Sequence, residues 1–302
     1  MSQRFQGYIY LSLAMLLVGS TVVASKIIAS GLPPFAATTV RFALALPLFL
    51  VLMRVTATAW PKLQRREWLI LLVQAGAGSV GYTTLLISGL RLAPAADAGV
   101  IIGTLPVISA AIAILVLGER PQRSVLLAIV LAAAGVLSIV FRADADNKHS
   151  LLGSALIFGA VICEGLFILI NKRVKSAISP LALSTMMACL GMAVAAPIAL
   201  LEMPSIDAIT AQAVAAVVYY ALIPTVGGFL LWYAGLAKVS GTEASVFTAL
   251  APVSAVLLAS VVLGEPIRPN QMLGIACVLA AVLSLGFRTS GILRHAQRQS
   301  EA

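Results

Sequence analysis

The chain has 302 residues, of which 61% are hydrophobic and 10% charged, with a mean hydropathy of +1.04 and a formal charge of +9. A water-soluble domain carries about 25% charged residues, so this composition excludes a soluble globular fold. The positive balance does not point to nucleic acid, because the Lys and Arg residues lie in loops between apolar runs and not on one basic face.

Apolar runs of about 20 residues, enough to cross a bilayer core as helix, recur along the chain. They predict ten spans, at about 7–29, 35–53, 67–89, 95–117, 122–141, 151–171, 181–201, 211–234, 242–263 and 270–287. The connections are short and punctuated by Pro, Gly or charge, as at Gly31-Leu32-Pro33-Pro34 and Gly118-Glu119-Arg120-Pro121. Arg4 before the first run imitates a signal peptide. Residues 7–30, however, match 153–176, so removal would leave the second copy without its partner.

That match runs through the chain at a constant offset of 146 residues. Pro106 falls on Pro252, Gly118-Glu119 on Gly264-Glu265, and Phe141-Arg142 on Phe287-Arg288. Upstream, Gly7 falls on Gly153, Gly19 on Gly165, Lys26 on Lys172, Pro34 on Pro180 and Gly89 on Gly235. The expected organisation is one repeat over 1–146, a second over 147–292 and a cytoplasmic tail over 293–302. Five spans per repeat is an odd number, so the second repeat enters the membrane upside down. The fold expected is an all-α membrane protein: ten transmembrane helices as two inverted five-helix repeats around a central cavity. Such repeats place substrate between the halves, near the midplane.

Charge asymmetry orients the chain. With the N-terminus cytoplasmic, fourteen Lys and Arg residues fall on the cytoplasmic side and four (Arg91, Arg142, Lys148, Arg268) on the other. Both termini are expected in the cytoplasm.

Several residues carry candidate chemistry. Glu164 lies midway along the sixth span, where a carboxylate is a functional candidate because its desolvation is costly. It shares a helical face with Phe167 and Asn171, and the equivalent face of the first span carries Thr21. Glu164 reads either as a site for a proton or cationic group, or as a structural carboxyl bonded to a neighbouring helix. Gln74, Ser79, Gly81 and Tyr82 in the third span, and Pro224, Gly227 and Trp232 in the eighth, are candidates for cavity walls and hinges. Small-residue packing is the competing reading of the glycines. An interfacial aromatic belt is the competing reading of Trp232 and Tyr233. Pro106 and Pro252 should kink the fourth and ninth spans, with Thr104 and Thr248 as hydrogen-bonding wall residues. Lys26 and Arg41, near outer span ends, are read first as snorkelling side chains and second as outer-mouth attractors of a substrate carboxylate. Glu119 and Glu265 are read as structural caps for free helix amides.

Gly19-Ser20, Lys26, Pro34, Arg41-Phe42, Pro106, Leu117-Gly118-Glu119 and Gly135, then Pro252, Leu263-Gly264-Glu265, Gln271 and Gly274, form an ordered set over nearly the whole chain. The set resembles the EamA-type members of the drug/metabolite transporter superfamily. The resemblance implies a ten-helix basket with a central cavity, the fifth and tenth helices outermost, and export of amino acids or related metabolites across a bacterial inner membrane.

Export of small amphipathic metabolites by alternating access, with amino acids foremost, is therefore expected. The partners are a small-molecule substrate and the bilayer, and the functional unit is a monomer, with a homodimer left open. Efflux of lipophilic organic cations by proton antiport is the alternative, with Glu164 as counter-ion. An intramembrane enzyme is the distant alternative, but neither His149 nor His295 lies in a span, and Glu164 is the one carboxylate deep in one. No catalytic residue, metal site or cofactor is expected. Cys163, Cys189 and Cys277 show no metal-ligand spacing.

Overall fold

A lone apolar run can satisfy its own backbone in lipid only as helix. The computed structural model describes residues 3–92, 101–120, 123, 126–127, 129–131, 134, 150–202, 209–263, 272–273, 275–277 and 280. Among these there is no strand, and seven helical stretches are long and apolar enough to cross a membrane. The first half contains α1 (Gln3–Ala29), α2 (Pro34–Val55), α3 (Arg65–Gln74), α4 (Tyr82–Leu92) and α5 (Leu105–Leu115). The second contains α6 (Leu151–Leu169), α7 (Pro180–Ala199), α8 (Ala211–Tyr220), α9 (Phe229–Leu236), α10 (Gly241–Phe247) and α11 (Leu250–Leu263). The expected fifth and tenth spans, the Gly264-Glu265 turn and the tail lie outside the described residues apart from scattered positions.

Local chemistry sets the helix starts. Pro34 and Pro180 occupy the first turns of α2 and α7, where a missing N–H costs nothing. Ser150, Ser179 and Thr210 accept from the Gly153, Ala182 and Ala213 amides. Gly118 follows α5 at φ +71°, a conformation that suits a residue without a side chain.

Two kinds of irregularity recur within one residue of the repeat offset. The third and eighth spans are each interrupted by a π-helical turn, Ala75–Gly81 and Ala221–Gly228. The fourth and ninth spans are broken by short turns at Gly103-Thr104 and Thr248-Ala249. The breaks precede Pro106 and Pro252, whose rings exclude a regular bond to the residue four back. The expected kinks are thus full interruptions.

The helix crossings also obey the repeat. Gly235 meets Leu11 and the Gly7 carbonyl; Gly89 meets Ile157 and the Gly153 carbonyl. Each residue of the first contact is the repeat partner of one in the second. A Cβ on Gly235 or Gly89 would lie 3.0 Å from that carbonyl oxygen. Likewise α1 crosses α11 at Gly19, and α6 crosses α5 at Gly165.

The contacts show the inversion directly. The end of α4, which meets the start of α6, is tied to the end of α1 by Arg91 Nη2 donating to the Leu32 carbonyl at 2.8 Å. At the opposite end, Lys172 Nζ, just after α6, donates 2.6 Å to the Val239 carbonyl, beside Gly7 at the start of α1. Therefore α6 runs opposite to α1. Buried positions on α2 include Thr38, Arg41 and Phe42, whereas Leu44, Leu48 and Val51 face outward. Polar groups inside and aliphatic groups outside are what a lipid solvent selects.

A Cβ at Gly19 would stand 2.3 Å from the Ala251 carbonyl oxygen, whereas one at Gly76 meets nothing within 4 Å. Gly19→Leu should therefore destabilise the bundle by about 1–3 kcal/mol or more, and Gly76→Ala should be near neutral. Heating the detergent-solubilised variants and measuring the monodisperse fraction checks this; equal midpoints would contradict the crossing.

Candidate functional site

Three spans from the first half and two from the second line a central cavity. Its walls are Met15, Val18 and Thr21 of α1, Arg41 of α2, Gly78, Ser79, Tyr82 and Thr83 of the third span, Glu164, Phe167 and Ile168 of α6, and residues 220–232 in part. Phe167 and Phe229 have ring centroids 5.1 Å apart and form an aromatic side of the wall.

Arg41 departs from expectation. It does not snorkel: it is 4% exposed and faces the cavity. Seven residues into α2 it lies about 10 Å along the axis, too deep to reach water along its own helix. Its Nη1 donates to Thr83 Oγ1 at 3.0 Å and Nη2 to the Ser79 carbonyl at 2.7 Å. The guanidinium carbon also lies 4.2 Å from the Phe42 ring centre and 4.7 Å from that of Tyr220. Nε is buried with no partner, as is Ser79 Oγ. A second, tighter cleft runs past Arg41, Thr83 and Tyr220 to Ile28 and Ala37, towards the α1–α2 turn.

Glu164 is buried, lines the cavity and has no hydrogen-bond partner among the described residues. It attracts Arg41 across the space, yet the one ion pair among the described residues is Arg4–Glu243, so the two do not pair directly.

The other candidates divide. Thr21, Ser79, Tyr82, Pro224 and Trp232 line the cavity. Trp232 and Tyr233 are buried rather than set in an interfacial belt; Trp232 Nε1 donates 3.3 Å to the Ile168 carbonyl. Packing against α6 buries both rings, with Tyr233 6.0 Å from Phe167 between ring centroids. Gln74 stands outside the cavity lining, with Nε2 donating 2.6 Å to the Phe167 carbonyl and 3.3 Å to Tyr233 Oη and its Oε1 buried without a partner. Thr104 and Thr248 bond the Ile101 and Ser245 carbonyls of their own helices and stand away from the cavity lining. Gly81 and Gly227 belong to the two π turns, with Gly81 facing Cys163 and Gly227 facing Leu17. Lys26 is exposed. Asn171 lies in the 3₁₀ turn Ile170–Arg173 after α6; its side chain is outside the described set. Thr83, Thr225 and Phe229 are wall residues that sequence reasoning did not select. Arg41 had a usable signal: its depth beyond Pro34.

The bundle end that holds the start of α1 is stitched shut. Glu119 accepts from the Gly241 and Thr242 amides at 2.8 Å each, capping α10 of the opposite half. Glu67 accepts from the Lys175 and Ser176 amides and from Ser176 Oγ. Glu243 accepts from Tyr8 Oη at 2.7 Å and pairs with Arg4. Burial pushes the Lys172 ammonium below the ordinary lysine range, while Glu119 and Glu243 pull it back up. Among the described residues no cluster of His, Cys, Asp or Glu could hold a metal ion.

The same architecture recurs in known proteins. The model of the EamA-like transporter family matches residues 5–141 and again 151–287. The chain is 34% identical over 285 residues to the uncharacterized transporter YetK of Bacillus subtilis (strain 168), covering 93% of this chain and 86% of that one. It is 25% identical over 219 residues to a protein named a probable terminal-alkyne amino-acid exporter, from Streptantibioticus cattleyicolor, covering 72% and 73%. A solved crystal structure with 19% identity superposes with a TM-score of 0.75 over 95% of this chain and 99% of its own, a likeness of fold. With its family model matched once in each half, this multi-pass membrane protein belongs to the EamA-like transporters, within the drug/metabolite transporter superfamily.

Proposed function

We propose that the protein exports small amphipathic metabolites, amino acids above all, across the cytoplasmic membrane by alternating access. The observation that carries this reading is the buried cavity between the halves, with Arg41 from one half, Glu164 from the other and a largely apolar wall. A cavity of this kind suits a ligand that is charged at one end and apolar at the other. The name of the Streptantibioticus relative agrees with that substrate class. Arg41 argues against lipophilic organic cations, because the same space would hold two like charges.

In this reading the units 1–146 and 147–292 rock against each other. The π turns with Gly81, Pro224 and Gly227, and the breaks before Pro106 and Pro252, act as hinges. Thr21, Ser79, Tyr82, Glu164 and Trp232 contact substrate. Gln74, Thr104 and Thr248 support the walls, and Lys26 and Asn171 stand near the two mouths. The sealed end faces the cytoplasm with both termini, the protein works as a monomer, and it performs transport without catalysis or a cofactor.

Proteoliposomes loaded with labelled amino acids and one organic cation test the function, with and without a pH gradient. Wild type should release neutral amino acids, and Glu164→Gln should slow that release at least about tenfold, as expected for loss of a buried charged contact. Release of the cation alone would overturn the reading. Orientation is checked in a chain lacking its own three cysteines. A single Cys at Lys148 should react with an impermeant thiol reagent from outside the cell and one at Arg65 should not; the reverse pattern would place the termini outside.

A further inference from the structure

The two cavity charges come from different halves and form a direct ion pair neither with each other nor, among the described residues, with any third group. Each is also chemically incomplete. Arg41 has its Nε buried without an acceptor, although Thr83 and Ser79 hold the rest of the guanidinium in place. Ser79 Oγ, on the same wall, is a second buried group without a partner. Glu164 faces the cavity with no donor. Buried donors and acceptors left unmade are costly, so the arrangement is complete only when a ligand supplies an anion to Arg41 and a cation to Glu164. Phe167, Phe229 and Trp232 offer no such group and form an apolar surface beside them.

We infer that the cavity seats the zwitterionic head of an α-amino acid, with its carboxylate on Arg41 and Ser79, its ammonium on Glu164 and its uncharged side chain against Phe167, Phe229 and Trp232. This rests on the export reading above and narrows it to a substrate class and a binding orientation. One anion and one cation on the ligand match one cation and one anion on the protein. An amine without a carboxylate leaves Arg41 unmatched, and an acid without an ammonium leaves Glu164 unmatched. A site built to bond a group rejects the analogue that lacks it more strongly than an apolar pocket rejects a change of size.

The test is equilibrium binding of labelled phenylalanine to the purified full chain. Competitors are phenylalanine, phenylalaninamide, which lacks the carboxylate, and 3-phenylpropanoate, which lacks the ammonium. Wild type should prefer phenylalanine to either analogue by at least about tenfold. Arg41→Gln should abolish the preference over the amide and keep that over the propanoate. Glu164→Gln should do the opposite. Arg41→Lys, which keeps the charge and loses the fork, should retain part of the preference. Monodisperse elution establishes that each variant is folded. Wild type that binds no phenylalanine would overturn both this inference and the amino-acid reading. Binding with preferences unchanged in Arg41→Gln or Glu164→Gln overturns the inference alone.

Discussion

Arg41 is a guanidinium held well inside an apolar bundle, and the centre of the molecule is arranged around keeping it there. A buried arginine needs acceptors that its own helix cannot supply. The third span provides them by loosening: within the π turn Ala75–Gly81, the Ser79 carbonyl turns to Nη2, and Thr83 one turn on receives Nη1. The eighth span provides the ring of Tyr220 by a related device. Pro224 cannot donate to the Tyr220 carbonyl, and the Thr225 hydroxyl takes that place at 2.9 Å. Tyr220 thus stays in register beneath the guanidinium at the start of the second π turn. The helical irregularities are therefore part of the site's electrostatics.

The scaffold is symmetric and the chemistry is not. Shifting by 146 residues carries the Gly235–Leu11 contact onto Gly89–Ile157 and one π turn onto the other. The same shift carries Glu164 to Val18 and Arg41 to Met187. Packing can be duplicated because each close approach needs only a missing Cβ at the same place in both halves. Charge cannot be duplicated so freely, since two guanidinium groups in one cavity would repel. Repetition makes the two-sided framework, and divergence within it leaves one Arg and one Glu facing the cavity.

Much of the framework was legible in the sequence because a bilayer permits few solutions. The apolar runs, the repeat and the paired glycines follow from lipid as solvent and from helices that touch. Glu164 was legible as a lone carboxylate in an apolar run. Arg41 was misread because snorkelling was granted to a residue two turns below its helix end. The aromatic pair Trp232 and Tyr233 was misread because a position near a span end does not reveal that its face packs against α6. Gln74, Thr104 and Thr248 could not be sorted from Thr21 and Ser79 at all. A hydroxyl or amide in a membrane helix has a nearby carbonyl available, and only the packing decides whether it also meets a cavity.

The placement of stiff and soft contacts limits how such a bundle can move. At Gly7–Gly235 and Gly89–Gly153 the helices approach closely enough that a Cβ would press on a carbonyl, and these contacts lie near span ends. Sliding there would open gaps that neither lipid nor side chains could fill. The backbone is already irregular at mid-span, in the two π turns and in the breaks before Pro106 and Pro252. Bending at those points exchanges one imperfect hydrogen-bond pattern for another, whereas bending elsewhere breaks a regular ladder. Rigid ends and yielding centres favour rocking of the halves about the cavity. On the proposed reading, with Arg41 and Glu164 one on each half, that motion would change their separation, so a ligand touching both would resist opening and one touching either alone would not.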